Sequence, residues 1–344
     1  MALIGIIANP SSGKDIRRLV AEASGTDNQQ KVNIVRRVLL GIAAIGVDEV
    51  SVMPDYFGIG ARALDGLQLP FRTTTLEMLV RATQEDSQEA ARMLCRREAD
   101  CIVVLGGDGT HRVVGKGCGR VPLVPISMGT NNVWPQQNEG TLAGLAAALV
   151  AQSVVPTDQA VRPTNRLEIE RDGSLVEIAL VDVATYDSAF IGSKAVWDLD
   201  RVGEIVLTKV QAGTLGLSSI GGGLPKPNES EAFGLHVRIG GGGGSVLAPI
   251  APGVIRRVPV QACRWLRLGD SVFITHKPCI LALDGEREIV VSPTDPIHIR
   301  LTANGPQMVD VQATLSAAAD MGYFVQGKEW NHETHERKPR GDRL

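Results

Sequence analysis

Aromatic side chains are scarce in this sequence of 344 residues, at 4% of the total, and its charge is nearly balanced, at −3. Proteins that bind nucleic acids place basic clusters on the phosphates and stack aromatic rings on the bases. Because the chain is rich in neither, we expect no nucleic-acid partner. No stretch approaches the roughly 18 apolar residues of a membrane span, so we expect no membrane span either. No basic segment precedes an apolar run near Met1, so we expect no signal peptide.

The cysteines are too few and too scattered for a disulfide framework. There are five, an odd number, and no two form a C-x-x-C pair. This pattern predicts free thiols in a reducing compartment, and hence a cytoplasmic protein.

Two standard nucleotide-binding loops are also missing. Arg112 stands where a G-x-G-x-x-G loop starting at Gly107 would need its last glycine. The Gly-Lys pairs at residues 13–14 and 115–116 lack both the upstream glycine and the following hydroxyl residue of a P-loop. Any phosphate loop in this chain must therefore have another form.

A different glycine-rich loop, the second loop (residues 106–110), follows an apolar stretch. Residues 102–105 are mostly β-branched, which is typical of a buried parallel strand, and a helix is expected over residues 110–117. The second loop consists of Gly106, Gly107, Asp108, Gly109 and Thr110. A glycine loop between a strand and a helix can cradle phosphate, and Asp108 at its lip can hold Mg²⁺ or accept a proton from a hydroxyl. Gly-Asp-Gly is also ordinary turn chemistry.

Two further polar loops follow predicted strands. The first loop (residues 9–13) comes after the strand at residues 3–8, and the third loop (residues 129–132) comes after a strand over residues 121–126. Each can be a plain turn. Because the carboxyl ends of parallel strands share one edge of a sheet, we expect both loops to lie beside the second loop. Their candidate binding residues are Asn9, Pro10, Ser11, Gly13, Gly129, Thr130, Asn131 and Asn132.

Strands and helices alternate over the first 155 residues, which predicts an α/β domain with a mostly parallel sheet. An apolar stripe over residues 32–45 indicates a long helix that ends at Gly46. A capping-box pattern at Thr83 predicts the start of another helix, which continues to about Arg97. An Ala/Leu-rich helix at residues 141–151 closes the domain.

From about residue 161 the hydrophobic period changes to 2, which predicts an all-β domain of two packed sheets. One hairpin joins residues 166–170 to a partner strand over residues 175–183. The glycine runs at residues 221–223 and 240–244 are typical of flexible loops. The expected divisions are an α/β nucleotide-binding domain (1–155), a β-sandwich domain (156–305), a C-terminal helix region (306–327) and a mobile tail (328–344).

The second loop resembles the signature of the superfamily that joins NAD kinases, diacylglycerol kinases and sphingosine kinases. The Asn-Pro-x-x-Gly of the first loop and the Gly-Thr-Asn-Asn of the third loop resemble its nucleotide-site segments. Val133 stands where the lipid kinases carry Asp. Residues 15–19 and 129–133 are most similar to the branch of acetoin-catabolism protein X. The resemblance implies the two-domain NAD kinase-like architecture, with a Rossmann-like α/β domain, a β-sandwich and a site between them.

A third motif lies in the β-domain. Asp284-Gly285-Glu286 is a common hairpin turn, and Asp172-Gly173 shows the same pair without a motif. It also resembles the third motif of the lipid and sphingosine kinases, which implies that Asp284 faces the cleft near the transfer site. NAD kinases carry an Asn-Glu pair where this chain has Val181 and Asp182. The candidate substrate contacts are Asp182, Asp187 and Glu286.

The resemblance implies ATP-dependent phosphoryl transfer to a hydroxyl, with ATP and Mg²⁺ as cofactors. Asp108 is the preferred general base because the NAD kinase branch uses this aspartate so, and Asp284 is the second candidate. Either could hold Mg²⁺. The resemblance favours NAD or a related nucleotide as the acceptor. A small alcohol, sugar or lipid stays open, although the sequence lacks the basic amphipathic stretch of a membrane-surface protein. A non-catalytic sensor of ATP or NAD also stays open. The family favours dimers or tetramers, so we expect a homo-oligomer.

Overall fold

The computed structural model describes residues 1–13, 27–187, 199–227 and 233–325. The expected tail at residues 328–344 and the family-like residues 15–19 lie outside these ranges. One sheet, sheet A, has seven strands: β1 (Leu3–Ala8), β2 (Glu49–Val52), β3 (Arg72–Thr75), β4 (Cys101–Gly106), β5 (Leu123–Ser127), β6 (Val161–Arg162) and β17 (Met308–Val309). Their spatial order is β3-β2-β1-β4-β5-β17-β6, and only the β17–β6 pair is antiparallel. The predicted mostly parallel sheet is confirmed.

Helices cover both faces of sheet A: α1 (Asn28–Ile45), α2 (Ile59–Leu64), α3 (Gln84–Arg96), α4 (Asp108–Gly115), α5 (Gly140–Ala151), α6 (Thr157–Ala160) and α8 (Val311–Asp320). The apolar stripe of α1 is buried as predicted, and Gly46 ends the helix with φ +90°. The helix α1 crosses α5 closely because Gly144 has no side chain: a Cβ there would lie 2.2 Å from the Val38 carbonyl oxygen.

The capping box predicted at Thr83 is wrong, although α3 does begin there. The Thr83 side chain makes no capping hydrogen bond. The Asp86 carboxylate instead accepts hydrogen bonds from the backbone amides of Arg81 and Ala82, which precede the helix. A capping box does form at α1, where Asp27 and Gln30 exchange side-chain and backbone hydrogen bonds.

The remaining strands form two antiparallel sheets. Sheet B has the order β13-β16-β7-β8 and sheet C has the order β12-β11-β10-β9-β14-β15, with the bounds β7 (Arg166–Arg171), β8 (Ser174–Ala179), β9 (Asp182–Tyr186), β10 (Val202–Leu207), β11 (Gly234–Ala251), β12 (Val254–Leu266), β13 (Ser271–Phe273), β14 (Cys279–Leu283), β15 (Glu286–Val291) and β16 (Ile297–Thr302). Leu167, Ile169 and Ile299 of sheet B share one buried core with Val206 and Leu281 of sheet C. The predicted sandwich of two packed sheets is confirmed.

The predicted strand over residues 175–183 is wrong in its continuity. The chain leaves sheet B after Ala179 and enters sheet C at Asp182. Leu180 and Val181, between the two strands, pack into the core under sheet A together with Val104 and Trp134. The switch from one sheet to the other therefore occurs where the sandwich meets the α/β part of the chain.

The glycine runs are not loops, which corrects the prediction. Residues 221–222 belong to helix α7 (Ser218–Gly222), and residues 240–244 lie inside β11 at a register shift. A Cβ on Gly221 would lie 2.4 Å from Leu207 Cδ1, and one on Gly223 would lie 2.5 Å from Val246 Cγ1. These glycines are needed for close packing of α7 on sheet C.

The strands β6 and β17 flank the sandwich segment in sequence and pair with each other in sheet A. The domain limits expected at residues 155 and 305 stay predictions. Among the described residues, no helix is both long enough and apolar enough to cross a membrane.

Candidate functional site

The first, second and third loops meet at the carboxyl edge of sheet A. Asn9 donates from Nδ2 to Thr110 Oγ1 over 2.9 Å and from its backbone amide to the Leu105 carbonyl over 3.2 Å. A Cβ on Gly107 would lie only 2.9 Å from Asn132 Oδ1, so glycine allows the second and third loops to touch. The structure therefore brings the first, second and third loops into direct contact.

Within the first loop, the Ser11 amide donates to Asn9 Oδ1 over 2.9 Å, and Gly13 has φ +74°. Pro10 contributes only a carbonyl, because proline has no amide hydrogen. In the third loop, the Gly129 carbonyl accepts hydrogen bonds from Ser127 Oγ and Asn132 Nδ2, while Thr130 is exposed. Most of the polar groups in these loops hold the loops in shape.

Asp108 is the first residue of α4 and is half-buried. Its carboxylate accepts hydrogen bonds from the Val133 amide, at 3.1 Å to each oxygen, and from the Trp134 amide, at 2.8 Å. The segment after the third loop thus fixes the orientation of this carboxylate. The attraction of Asp108 raises the pKa of the nearby Lys209 ammonium, but burial has the larger effect and lowers it overall.

Asp284 occupies the hairpin turn between β14 and β15, as its Asp-Gly pair predicts, while its place near a transfer site stays a prediction. Asp284 has φ +51° and Gly285 has φ +82°, the left-handed backbone of a tight turn. The buried carboxylate accepts hydrogen bonds from the amides of Leu180, Val181 and Asp182, where the chain changes sheets. Burial raises the pKa of Asp284, and these amides together with Arg112 oppose the increase.

Arg112 connects the two motifs that contain the aspartates. It extends from α4, and its fully buried side chain places Nε 3.4 Å from Asp284 Oδ2 and pairs through Nη2 with Glu288. Burial would lower the pKa of Arg112, but the two carboxylates raise it instead. Sequence reasoning missed this residue. The available signal was a basic side chain next to Val113 and Val114, on the buried face of a short helix.

A cleft opens between the two halves of the chain. Asp108, Asn131 and Val133 line it from the α/β side. The sandwich side contributes Val181, Asp182, Leu199, Leu215, Gly216, Leu217, Ile250, Asp284 and Gly285. Asp182 is buried, and Ser218 Oγ lies 3.5 Å from its Oδ2.

Glu286 and Asp187, two of the predicted substrate contacts, lie in different parts of the structure. Glu286 lies at the start of β15 beside the second loop, where a Cβ on Gly109 would sit 3.4 Å from its Oε1. Asp187 lies past the end of β9 and lines a separate groove with Arg201 and His276. The structure therefore brings Glu286 next to the second loop and does not bring Asp187 into the cleft.

Comparison with known proteins supports the resemblance. Residues 4–154 match the family model described as the ATP-NAD kinase N-terminal domain, and residues 165–304 match the acetoin catabolism protein X C-terminal domain. The chain is 38% identical over 330 residues to acetoin catabolism protein X of Cupriavidus necator, and this match covers 92% of each chain. It is also similar to the crystal structure of yeast NADH kinase complexed with NADH, with a TM-score of 0.48 and 13% identity over 96% of this chain and 90% of that one. The chain therefore belongs to the family of acetoin catabolism protein X, in the NAD kinase-like superfamily.

Proposed function

We propose that this protein transfers the γ-phosphoryl group of ATP to a hydroxyl group, and that the acceptor is NAD or a related nucleotide. The observation that carries the proposal is the placement of Asp108. Its carboxylate lies in the cleft, next to glycines of the second loop, and two backbone amides fix its orientation. The match of residues 4–154 to the ATP-NAD kinase N-terminal domain supports ATP as the donor and a nucleotide as the acceptor.

In the proposed reaction, Asp108 accepts the proton of the acceptor hydroxyl. The hydroxyl oxygen forms a bond to the γ-phosphorus while the bond between that phosphorus and the bridging oxygen breaks, and ADP leaves. The amides of Gly107, Gly109 and Thr110 hold phosphate oxygens at the start of α4, where the helix favours negative charge. Positioning and charge stabilisation supply most of the catalysis in such a site.

The described residues fit such ligands. Both polar atoms of the Asn131 amide are buried at the cleft, and neither has a hydrogen-bond partner within the described part of the chain. An amide in this position fits a hydroxyl or phosphate oxygen of a ligand. No group of three or more His, Cys, Asp or Glu side chains in the described ranges could hold a metal ion. Mg²⁺ commonly binds through carboxylates and the substrate phosphates, so an ion that arrives with ATP would be held chiefly by those phosphates, which leaves the Asp108 carboxylate for the proton.

We assign Asp284 a positioning role. Both of its oxygens accept backbone hydrogen bonds, and Oδ2 also faces Arg112. Asp108 also accepts backbone hydrogen bonds through both oxygens, but it is half-buried, whereas the Asp284 side chain is completely buried and out of reach of a substrate hydroxyl. Asp108 is therefore the general base in our proposal, and Asp284 holds the sandwich side of the cleft in place.

A second acceptor class is favoured by the sandwich wall of the cleft. Val181 stands where NAD kinases carry a polar residue, and Leu215, Leu217 and Ile250 lie beside it. An apolar wall of this kind suits a small alcohol with a carbon skeleton better than a ribose. This candidate differs from the first only in the acceptor.

Mass spectrometry of reaction products tests the proposal. The purified protein is incubated with ATP, Mg²⁺ and either NAD or a panel of small alcohols and sugars. Phosphate gained by NAD supports the first acceptor, and phosphate gained by an alcohol or sugar supports the second. In the Asp108→Asn variant we expect turnover to fall by about 10²–10⁴-fold, the usual weight of general-base catalysis. Asp172→Asn, in an exposed Asp-Gly hairpin, is the control. If ATP binds but no acceptor gains phosphate, a sensor role replaces the kinase.

A further inference from the structure

Lys31 of α1 is a buried cation that contacts the first loop, and it has no role in the proposed chemistry. Its side chain is fully buried. The ammonium donates to the carbonyl oxygens of Asn9 over 2.9 Å, Pro10 over 3.0 Å and Ser12 over 2.7 Å. A further hydrogen bond joins it to Asn28 Oδ1 over 3.1 Å. Three of the five residues of the first loop therefore direct their carbonyls at one ammonium group.

This arrangement decides which way the first loop presents its donors. In a planar trans peptide, the carbonyl and the following amide hydrogen point in opposite directions. Because the Ser12 carbonyl points at Lys31, the Gly13 amide points away from it. The left-handed φ of +74° at Gly13 turns the backbone sharply at this point. The first loop thus turns its carbonyl oxygens, which would repel phosphate, towards the ammonium of α1.

The first loop is also tied to the second. The Asn9 amide group holds Thr110 Oγ1, and the Asn9 backbone holds the Leu105 carbonyl. A change at Lys31 therefore acts on a loop in direct contact with the proposed phosphate cradle.

We propose that Lys31 is a positioning residue for the polyphosphate of the nucleotide, an inference that rests on the proposed function. It fixes the first loop with its carbonyls turned inward and places one positive charge directly behind that loop. Opposite charges attract more strongly where water is excluded, so the buried ammonium favours a phosphate group on the other side of the loop. Lys31 acts through the loop and through its charge, without contact with the phosphate.

The same helix offers a matched control. Arg36 also gathers three backbone carbonyls, those of Arg62, Ala63 and Asp65, at distances of 3.4, 3.3 and 2.8 Å. Those carbonyls lie at the end of α2, and none belongs to the three loops. Lys31→Met and Arg36→Met therefore each remove one cation that organises backbone carbonyls from α1. Only the first is expected to affect phosphate binding.

Isothermal titration calorimetry with inorganic tripolyphosphate, and separately with ATP and Mg²⁺, tests the proposal on the full-length protein. We expect Lys31→Met to weaken tripolyphosphate binding by about 10- to 100-fold, the effect of losing one charged hydrogen-bonding group. Arg36→Met should bind like the unaltered protein. Circular dichroism and the thermal midpoint show whether each variant is folded. Lys31→Gln, which keeps a donor but removes the charge, is used if Lys31→Met does not fold.

Rescue separates positioning from simple stability. Lys31→Arg restores the cation and its donors, so we expect tighter tripolyphosphate binding than in Lys31→Met. If the folded Lys31→Met or Lys31→Gln variant binds tripolyphosphate within about threefold of the unaltered protein, the role of Lys31 is refuted, while the proposed function stands. If Arg36→Met loses as much affinity as Lys31→Met, the effect is general destabilisation and the proposal also fails. If the unaltered protein binds neither tripolyphosphate nor ATP, the proposed function fails together with this inference.

Discussion

Removal of the Arg112 guanidinium is expected to destabilise the protein strongly, because two carboxylates lose their cation. In Arg112→Met, Asp284 and Glu288 stay where they are, with the Asp284 side chain completely buried and that of Glu288 13% exposed. Breaking a buried pair by removing one partner typically costs about 3–5 kcal/mol, since the remaining charge has neither water nor a counter-ion. In a chain of 344 residues, that loss lowers the thermal midpoint by roughly 4–7 °C.

The destabilisation should depend on pH with a definite sign. Burial already raises the pKa of Asp284, and Arg112 is the largest influence that opposes the increase. Without Arg112 the pKa of the folded state rises further, so the folded variant binds a proton more tightly than the unfolded chain does. Its free energy of unfolding then falls as pH rises through this pKa and recovers as pH falls. The deficit relative to the unaltered protein should therefore be larger at pH 8 than at pH 5.

Urea-induced unfolding followed by circular dichroism at both pH values measures this difference. The control is Arg300→Met, because Arg300 is 47% exposed and lies 3.5 Å from Glu170 on the surface of sheet B. A pair of this kind contributes about 1 kcal/mol at most. If Arg112→Met unfolds at the same urea concentration as the Arg300→Met control, or if its deficit is equal at pH 5 and pH 8, the buried ion pair does not hold the two halves as described.

Three further predictions concern the cleft, the sandwich and its glycines. Asp284→Asn should lower kcat by no more than about tenfold, the weight of about 1.4 kcal/mol, because its carboxylate positions the backbone; a loss as large as that of a general base in an assay of ADP formation with the acceptor present would contradict this role. Burial would raise the pKa of Glu204, but hydrogen bonds, chiefly from His236, lower it from 4.5 to about 2. Glu204→Gln should therefore lose about 3 kcal/mol in urea unfolding above pH 4.5, and the difference should shrink as pH falls towards 2. Gly221→Ala should destabilise by about 1–3 kcal/mol in thermal unfolding because of its contact with Leu207, whereas Gly241→Ala, with no atom within 4 Å, should not.

The α/β half could be predicted well from the sequence because its signals are local. A buried parallel strand such as β4 is a continuous apolar run, and the glycines of the second loop follow it directly. The carboxyl ends of parallel strands lie at one edge of a sheet, and the loops that follow those strands are therefore neighbours. The contact between Asn9 and Thr110 follows from this topology.

The parts that sequence reasoning missed depend on contacts between distant residues. Arg112 and Glu288 are separated by 176 positions, and no local pattern links a basic residue on α4 to a carboxylate on β15. Because glycine is usual in loops, the glycines at residues 221–223 predict a loop. In the structure their function is close packing against Leu207 and Val246, which only the folded sandwich defines.

The pairing of β6 with β17 has a consequence for the architecture of the chain. The sandwich leaves sheet A after Arg162 and returns before Met308, two residues that are direct partners. Near this crossing the Gly305 amide donates to the Thr164 carbonyl over 3.0 Å. The sandwich is thus an insertion whose two ends lie in contact with each other at the edge of sheet A. A short turn in place of residues 164–305 would keep β6 paired with β17, but it would also remove Leu180 and Val181 from the core under sheet A and both carboxylates from Arg112.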